Sequence, residues 1–329
     1  MPKNQMSKIA YIVVGWNNLT LLGECFSSIE KQESVGGKII YVDNASKDNS
    51  VDFVRSNFPD ALVIPQSKNT GFAKGNNIGI KEALNDPQIE YIALINSDAR
   101  IAPDWSEKII KLAAHKPKGA CYQGTNLDYY KHSVIDSTHI YVSHNGQGTQ
   151  GNWRYYDIAE LGPKKIFGVN AAACVISRKF IKAQPFGSKV FDESFFMYLE
   201  DIDLAARSTI MGWDNYLVPG ARAYHMGSAS SGKNPRFSLY MTFRNNCPVL
   251  FKNFSMRENI KIAPKLIRGD LDTILTLHRR KQNKAIWSVI KGRCTGLLRL
   301  PLYIWKRHQV FRKRKIDADY LWLLMRRGY

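Results

Sequence analysis

Three carboxylates lie within four positions of the chain, in the segment Glu200-Asp201-Ile202-Asp203. A carboxylate held next to a hydroxyl group can remove its proton, so an acidic cluster of this kind is a candidate general base. The pattern from Ile202 onward also predicts a helix, and the helix dipole stabilises acids in a first turn. Asp203 and Arg207 are four residues apart and can pair on one helix face. The segment therefore permits two interpretations, a catalytic turn or an ordinary capped helix.

Two other acids follow apolar runs of strand length. Asp43 is the last residue of the run at 38–43. Asp98 is the last residue of Asn96-Ser97-Asp98, which directly follows the run at 91–95. An acid at a strand end can accept hydrogen bonds from a base or a ribose, and one carboxylate beside neutral oxygens suits Mg²⁺ that also binds phosphates. An ordinary Asp/Asn turn explains the first acid equally well. A helix N-cap cluster before Pro103 explains the second.

The periodicity predicts a scaffold that places these acids together. Apolar runs of strand length at 9–14, 38–43, 61–64 and 91–95 alternate with helical spacing at 19–31, 51–54, 71–84 and 105–114. This alternation predicts βαβ units and an α/β fold with a mostly parallel central sheet flanked by helices. Ligands of such sheets bind at the carboxyl ends of strands, where Asp43 and Asp98 lie.

The second half of the chain is less regular. The region from about Gly119 to Gly168 predicts short strands and loops, and an apolar run at 167–176 predicts another buried strand. Strand-like segments at 214–219 and 223–227 follow the acidic turn, and helical spacing at 240–254 and 260–277 predicts two helices. His225 follows a strand-like segment, and a lone histidine is more often structural than a metal ligand.

The segment from Asn69 to Asn77 contains Gly71, Lys74 and Gly75 at a predicted strand-to-helix junction. Exposed backbone N–H groups at such a junction suit the close approach of a nucleotide. The segment is not a Walker A loop, and its glycines do not have dinucleotide-binding spacing.

The positive charge is concentrated at the C-terminal end. The formal net charge is +19, and residues 236–329 hold 22 lysines and arginines against 5 acids, whereas residues 1–235 hold 25 against 23. Such asymmetry indicates nucleic acid or an anionic membrane surface. Trp, Tyr and Leu between the basic residues favour the membrane interface, and a homodimer contact is the alternative. Nucleic acid ranks lowest, because no base-reading motif is present.

We expect a protein of the cytoplasm. The five cysteines are scattered and form no C-x-x-C pair, which argues against a disulfide framework or a zinc site. The N-terminus lacks the apolar region of a signal peptide. No run approaches the roughly 18 uncharged apolar residues that cross a bilayer.

Six segments, read together, resemble a family 2 GT-A glycosyltransferase over about residues 7 to 255. They are Val42-Asp43-Asn44-Ala45-Ser46, Asn69-Thr70-Gly71-Phe72-Ala73-Lys74-Gly75-Asn76-Asn77, Leu94-Ile95-Asn96-Ser97-Asp98-Ala99, Phe191-Asp192-Glu193-Ser194-Phe195-Phe196, Glu200-Asp201-Ile202-Asp203 with Arg207, and Tyr224-His225. The nearest subgroup is the rhamnosyltransferase-like enzymes of bacterial cell-surface polysaccharide assembly. The resemblance implies a Rossmann-like GT-A domain at 1–235, followed by a basic helical region at 236–329.

The resemblance also implies a role for each matching residue. Asp201 corresponds to the catalytic base of an inverting transfer, and Glu200 and Asp203 would orient the acceptor or the base. Asp98 and His225 would hold Mg²⁺ or Mn²⁺, although the D-x-D motif of the family is reduced here to one acid. The nucleotide would be held by Asp43, Asn44, Asn69, Gly71, Lys74, Asn77, Ser97 and Arg244.

The same resemblance implies substrates and a location. The donor would be a nucleotide-sugar, with dTDP-L-rhamnose the first choice, and the acceptor a lipid-linked saccharide at the inner face of the plasma membrane. Two other functions compete with glycosyl transfer. One is a nucleotide-sugar-binding protein without turnover that is tethered to a membrane complex, and the other is a basic nucleic-acid-binding module.

Overall fold

The computed structural model describes residues 9–32, 37–151, 162–227 and 234–316. Strands and helices alternate through the first third of the chain, as the periodicity predicts. They are β1 Ile9–Gly15, α1 Leu19–Glu30, β2 Gly37–Asp43, α2 Ser50–Asn57, β3 Leu62–Pro65, α3 Gly71–Ala83, β4 Tyr91–Asn96, β5 Ala99–Ile101 and α4 Trp105–Ala114.

Short strands dominate the middle of the chain, and helices dominate its C-terminal end. The strands and helices of the middle are β6 Gly119–Asp128, β7 Ile135–Ser137, β8 His139–Val142, β9 Gly148–Gly151, β10 Lys164–Ile166, β11 Ala173–Ser177, α5 Arg178–Ala183, α6 Glu200–Ile210 and β12 Asp214–His225. The C-terminal helices are α7 Pro235–Asn253, α8 Met256–Arg279, α9 Asn283–Leu298 and α10 Ile304–Arg312, with short 3-10 turns at Glu193–Phe195 and Leu300–Tyr303.

One large sheet organises the molecule, with the strand order β10-β12-β6-β11-β4-β1-β2-β3. Strands β4, β1, β2 and β3 are mutually parallel, and β12 runs parallel to β6. Strand β11 enters antiparallel between β4 and β6. The carboxyl ends of β1, β2 and β4 therefore meet at one edge, which is where ligands bind in sheets of this kind.

Successive strand residues point to opposite sides of the sheet, and helices pack on the side chains of both faces. On one face, Tyr11 and Val13 of β1 pack with Phe26 of α1 and Trp105 of α4. On the other face, Ile12 packs in the cluster that α3, α5 and α6 complete. The continuous apolar run of β1 is the sequence signature of a strand buried on both faces.

A third apolar cluster joins the sheet domain to the C-terminal helices. It combines Phe195 and Ile202 near the acidic turn with Phe254, Tyr303 and Val310 from the helical region. Within the described ranges, no helix has the length and apolar character that crossing a membrane requires. The end of the predicted basic region, residues 317–329, lies outside the described residues.

Three predicted elements differ from those observed. The run at 167–176 contains a regular strand only at Ala173–Ser177, because Asn170 turns the chain by accepting a hydrogen bond from the Ala172 N–H. The segments at 214–219 and 223–227 form one strand, β12, whose pairing with β6 shifts between Val218 and Arg222. The helix predicted at 240–254 begins five residues earlier, at Pro235, where Pro suits the first helical turn.

Candidate active site

A cavity of about 1020 Å³ opens at the carboxyl edge of β1, β2 and β4, between the N-terminal ends of α3, α6 and α7. It brings together eight of the thirteen residues predicted from the sequence. These are Asn44, Asn69, Gly71, Ser97, Asp98, Glu200, Asp201 and His225. The other five, which do not line it, are Asp43, Lys74, Asn77, Asp203 and Arg244.

The wall beside β2 and α3 is built from short polar side chains. The Asn44 amide group donates to the Gly71 carbonyl, and its oxygen accepts from the Thr70 hydroxyl at 2.8 Å. Asn69 accepts a hydrogen bond from the Gly71 N–H at 2.9 Å, which forms the turn that starts α3. Gly71 has φ +80°, and an added Cβ would lie 2.5 Å from the Phe196 carbonyl oxygen. Only glycine fits here.

The remaining residues predicted for the nucleotide lie beside or behind this wall. Asp43 is buried, and its carboxylate accepts hydrogen bonds from the Tyr41 hydroxyl and the Ser46 N–H. Lys74 is exposed on α3. The Asn77 amide pairs with the backbone N–H and carbonyl groups of Phe191, at 2.9 and 2.8 Å. Asn77 therefore ties α3 to the segment that precedes the acidic turn.

Two carboxylates face one imidazole at the opposite wall. The His225 Nε2 atom lies 3.4 Å from Asp98 Oδ1, and Nδ1 lies 3.1 Å from Asp136 Oδ2. Burial lowers the pKa of His225, but the hydrogen bonds and charges of Asp136 and Asp98 outweigh it and raise that pKa to about 10. The arrangement therefore stabilises positive charge at this point of the cavity.

This donor set fits a divalent cation that takes few ligands from the protein. The described residues contain no group of three or more His, Cys, Asp or Glu side chains arranged to hold a metal. Mg²⁺ and related cations commonly use one or two carboxylates together with substrate phosphates and water. Asp98 and His225 line the cavity and would supply one oxygen and one nitrogen ligand, the nitrogen only after Nε2 loses its proton as the cation binds, with Asp136 behind the imidazole.

The turn before α6 has an unusual backbone. Phe196, Tyr198 and Leu199 all have positive φ, at 65°, 69° and 65°. Each non-glycine residue in this region costs about 1–2 kcal/mol, so neighbouring groups must hold the turn. The buried Asn245 amide of α7 donates to the carbonyls of Phe195, Met197 and Tyr198, at 3.1, 2.8 and 2.7 Å.

Arg244 reinforces the same turn. Its guanidinium donates to the carbonyls of Ser194 and Phe195 and to the Asn245 side chain. The structure therefore places this Arg-Asn pair against the backbone of the acidic turn, and Arg244 does not reach the cavity.

The turn presents Glu200 and Asp201 to the cavity. Burial raises the pKa of Asp201 to about 6, although backbone N–H groups, including that of Ile202 at 2.8 Å, favour its ionised form. Burial and the charge of Asp201 raise the pKa of Glu200 well above its usual range. No donor in the described part of the chain reaches the buried Glu200 Oε2 atom. Burial therefore makes the charged form of both neighbouring carboxyl groups less favourable, and the charge of Asp201 adds to this effect at Glu200.

Asp203 points away from the cavity into a buried charge network. Its carboxylate accepts from Arg207 Nε at 3.0 Å, from Lys252 Nζ at 2.9 Å and from Asn253 Nδ2 at 2.7 Å. Lys252 Nζ also donates to Asp192 at 2.8 Å. The predicted pairing of Asp203 with Arg207 is confirmed, and this acid stabilises the packing of α6 on α7.

Sequence reasoning missed three residues of this site. Trp16 and Asn18 line the cavity just after β1, and the rule that ligands bind at strand ends could have found them. Asp136 lies in the irregular middle region, where no periodic signal indicated that β7 would carry it to His225.

Comparison with known proteins decides the family. The model of glycosyl transferase family 2 matches residues 11–183, which is more than half of the chain. The chain belongs to this family. The match extends from β1 to α5 and includes the nucleotide-side wall of the cavity, Asp98 and Asp136. It ends before the acidic turn, so the assignment of Asp201 rests on the geometry above and on the resemblance of its motif.

This chain is also similar to individual known proteins at low identity. It is similar to the N-acetylglucosaminyl-diphospho-decaprenol L-rhamnosyltransferase of Mycobacterium tuberculosis (strain CDC 1551 / Oshkosh), at 24% identity over 219 residues that cover 61% of this chain and 70% of the relative. The mannosyltransferase PcManGT of Pyrobaculum calidifontis, solved with GDP-Man and Mn²⁺, matches at 15% identity and TM-score 0.55, over 98% of this chain and 87% of that one.

The GalNAc-T7 structure, solved with UDP, GalNAc and Mn²⁺, matches at 12% identity and TM-score 0.58. The match covers 78% of this chain and half of the GalNAc-T7 chain. These two solved structures confirm the GT-A fold predicted from the sequence. At such identities they show the fold alone.

Proposed function

We propose that this family 2 protein is an inverting glycosyltransferase in which Asp201 is the catalytic base. The observation that carries the proposal is the position of Asp201 in the wall of a cavity that Asn44, Asn69 and Asp98 also line. A base works best when its pKa lies near the working pH. The pKa of Asp201, raised to about 6, leaves the carboxylate ionised at neutral pH and still able to accept a proton.

The reaction is a single displacement at the anomeric carbon of the donor sugar. The acceptor hydroxyl gives its proton to Asp201 as its oxygen bonds to the anomeric carbon. The bond from that carbon to the diphosphate oxygen breaks on the opposite face, so the configuration inverts. Glu200, whose pKa is raised by burial and by the charge of Asp201, lies beside the base and would orient the acceptor. A divalent cation held by Asp98 and His225 would stabilise the negative charge of the departing diphosphate.

The nucleotide would occupy the end of the cavity formed by β1, β2 and α3. Trp16 is half exposed there and offers an aromatic face on which a base can stack, and Asn18, Asn44 and Ser97 supply polar groups. Asp43 would act from behind this wall by ordering the turn to Ser46.

The donor and acceptor classes are part of the same proposal. The Mycobacterium tuberculosis relative is named as a rhamnosyltransferase that acts on a diphospho-decaprenol-linked sugar. We therefore infer dTDP-L-rhamnose as the donor and a lipid-linked saccharide as the acceptor. An apolar side of the cavity, with Phe196, Met197, Leu199 and Phe237, suits an acceptor that carries apolar groups.

A panel of nucleotide-sugars tests the proposal directly. Thermal unfolding is followed with each donor, with and without Mg²⁺ or Mn²⁺, because a ligand that binds only the folded state raises the melting temperature. Donors that stabilise the protein are then assayed for transfer to a lipid-linked acceptor and for the configuration of the product. We expect stabilisation by dTDP-L-rhamnose and an inverted product. Binding without transfer or hydrolysis would favour the non-catalytic alternative, and a retained configuration would refute the mechanism.

A further inference from the structure

The outer side of α8 carries a row of exposed apolar side chains. They recur at intervals of four and seven residues, so they share one helix face. The row consists of Met256, Ile260, Ile267, Leu271 and Leu275. Another side of the same helix, with Ile262 and Leu277, is buried against the protein. The outward row therefore has no partner within the described residues, although its composition is that of a buried face.

Helix α9 is apolar on both sides. Its inner side packs closely on α7, because a Cβ on Gly292 or Gly296 would lie 2.6 or 2.5 Å from the carbonyl oxygens of Tyr240 and Arg244. Its outer side is exposed, with Trp287 at 70% and Leu298 at 82% exposure. The exposed row continues into the next turn and helix and consists of Trp287, Ile290, Leu297, Leu298, Leu302, Ile304 and Trp305.

The two rows border the same seam between α8 and α9. Arg293 of α9 makes a bidentate ion pair with Asp270 of α8, with both N–O distances at 2.7 Å. Ile267 lies three residues before Asp270, and Ile290 and Leu297 lie three before and four after Arg293. Residues at these spacings share a helix face. Because the inner sides of both helices pack on the body of the protein, the rows form one outward surface, which we call the outer face.

Basic side chains surround the outer face. Residues 256–316 contain 17 lysines and arginines against 3 acids. Of the acids, Glu258 is buried in the capping box of α8 and Asp270 is paired with Arg293. Arg257, Lys261 and Arg268 are exposed along α8 beside its apolar row. The surface therefore has an apolar centre and, along α8, a border of exposed basic side chains in which Asp272 is the one exposed acid of the described residues 256–316.

The charge decides which occupant fits this surface. A second copy of the chain would bring two positive borders together, which is repulsive. Nucleic acid would meet a centre of Trp, Leu and Ile side chains instead of a polar groove. An anionic bilayer satisfies both parts, since lipid phosphates attract the border and the interface accepts apolar and aromatic side chains.

We propose that the outer face of α8, α9 and the segment up to Trp305 is a docking surface for an anionic lipid bilayer. Docking does not depend on the catalytic assignment of Asp201. It would bring the cavity close to lipid-linked acceptors, because α9 packs on α7 and Asn234, Phe237 and Thr242 at the start of α7 line the cavity.

Vesicle flotation of the full chain tests the proposal. Vesicles of equal parts phosphatidylcholine and phosphatidylglycerol are compared with vesicles of phosphatidylcholine alone, at low and high salt. We expect binding only to the anionic vesicles and weaker binding at high salt. Trp287→Ser with Trp305→Ser should weaken binding roughly tenfold to a hundredfold, because large apolar side chains leave the interface.

Matched variants distinguish vesicle binding through the outer face from nonspecific binding by other parts of the protein. Tyr130→Ser removes an exposed aromatic residue of the sheet domain and should leave vesicle binding unchanged. Arg268→Glu with Arg279→Glu should weaken binding roughly tenfold or more, whereas Lys31→Glu with Lys111→Glu should weaken it much less.

Three results would overturn the proposal. The first is a folded wild-type protein that floats with neither kind of vesicle. The second is equal binding to both kinds of vesicle. The third is loss of self-association, without loss of vesicle binding, in the tryptophan variant. Donor-induced thermal stabilisation, measured on the same samples without lipid, shows separately whether the proposed function stands.

Discussion

Asp201 and Asp203 lie two residues apart in the first turn of one helix, yet their surroundings are opposite. Asp203 is fully buried, and Arg207, Lys252 and Asn253 bind its carboxylate. Asp201 faces the cavity, and among the residues that the structure describes only backbone N–H groups are hydrogen bonded to it. One acid therefore has its charge balanced within the protein, whereas the other has a raised pKa and a free approach for substrate.

The difference shows how one short acidic motif can serve two roles, the stability of the fold and the proposed catalysis. The balanced acid, together with Asp192 and Lys252, attaches the helix to the C-terminal region. Asp201 is left at the wall of the cavity, where burial raises its pKa toward the range that suits proton transfer. The side chains of Asp201 and Asp203 leave the helix in different directions. One acid therefore stabilises the packing of the helix, and the other remains available for the proposed chemistry.

The largest effect on stability is expected from Lys252→Met. This change removes the buried cation between Asp192 and Asp203, and a buried ion pair that loses one partner costs about 3–5 kcal/mol. Chemical denaturation measures the loss in the free energy of unfolding. Lys74→Met, at an exposed lysine of α3, is the control and should change stability little. A loss as small as that of the control would show that the network does not hold α6 to α7.

Asn245→Ala should lower both the stability of the protein and the rate of transfer. It leaves the carbonyls of Met197 and Tyr198 without the amide donor of Asn245, which costs about 1–3 kcal/mol, whereas the Phe195 carbonyl keeps its bond from Arg244. It should also lower kcat more than it changes the KM for the donor, because the turn that positions Asp201 relaxes. The control is Asn246→Ala, since Asn246 is buried on the same helix but donates to the Gly146 carbonyl. Equal kinetic effects in both variants would remove the positioning role.

Gly71→Ala tests the close approach between α3 and the acidic turn. Positive φ alone costs about 1–2 kcal/mol for a residue with a Cβ, and the contact with Phe196 adds to it. Gly187→Ala is the matched control, since Gly187 also has positive φ, at 60°, but an added Cβ would contact nothing within 4 Å. Denaturation and donor-induced stabilisation should both show a larger effect at Gly71. Equal effects would mean that backbone strain alone matters.

The smallest effect, about tenfold per pH unit, is expected in the pH dependence of transfer. The base must be ionised, and the pKa of Asp201 is raised to about 6, so kcat/KM should fall below that pH and level off above it.

The pH dependence of the free energy of unfolding should differ from that of transfer. The neighbouring lysines outweigh the effect of burial and lower the pKa of Asp192. Its contribution is therefore complete above its unfolded pKa of about 3.9 and is lost as the pH falls further.

One pH profile would contradict the assignment of Asp201 as the catalytic base. A kcat/KM that shows no inflection within about one unit of 6 would mean that Asp201 is not the titrating base.

The sequence predicted the parts of the fold that depend on regular patterns. The buried runs of β1, β2 and β4 and the helical spacing of α1, α3 and α4 were located to within one or two residues. The order of polar residues at their carboxyl ends also predicted which edge of the sheet forms the cavity. Both Asp201 and Asp203 suit the helix dipole of a first turn. The spacing from Asp203 to Arg207 predicted the ion pair of Asp203, whereas the role of Asp201 came from the resemblance of the motif.

Long-range contacts were beyond the reach of sequence patterns. Asp136 meets His225 across 89 positions, and Lys252 meets Asp203 across 49, and neither contact has a local signal. Asn77 and Arg244 were predicted to bind the nucleotide because the resemblance to the family implies that role. In the fold both contact backbone carbonyls of the segment that leads to the acidic turn.

The most direct test of the account measures Asp201→Asn and Asp203→Asn side by side, by transfer at saturating donor and by the free energy of unfolding. We predict that Asp201→Asn lowers transfer about 10²–10⁴-fold and leaves stability unchanged or higher. Asp203→Asn should lower stability by about 3–5 kcal/mol and reduce the transfer rate of the folded fraction far less. Near-normal transfer by Asp201→Asn, or a stable Asp203→Asn protein without transfer, would contradict the account.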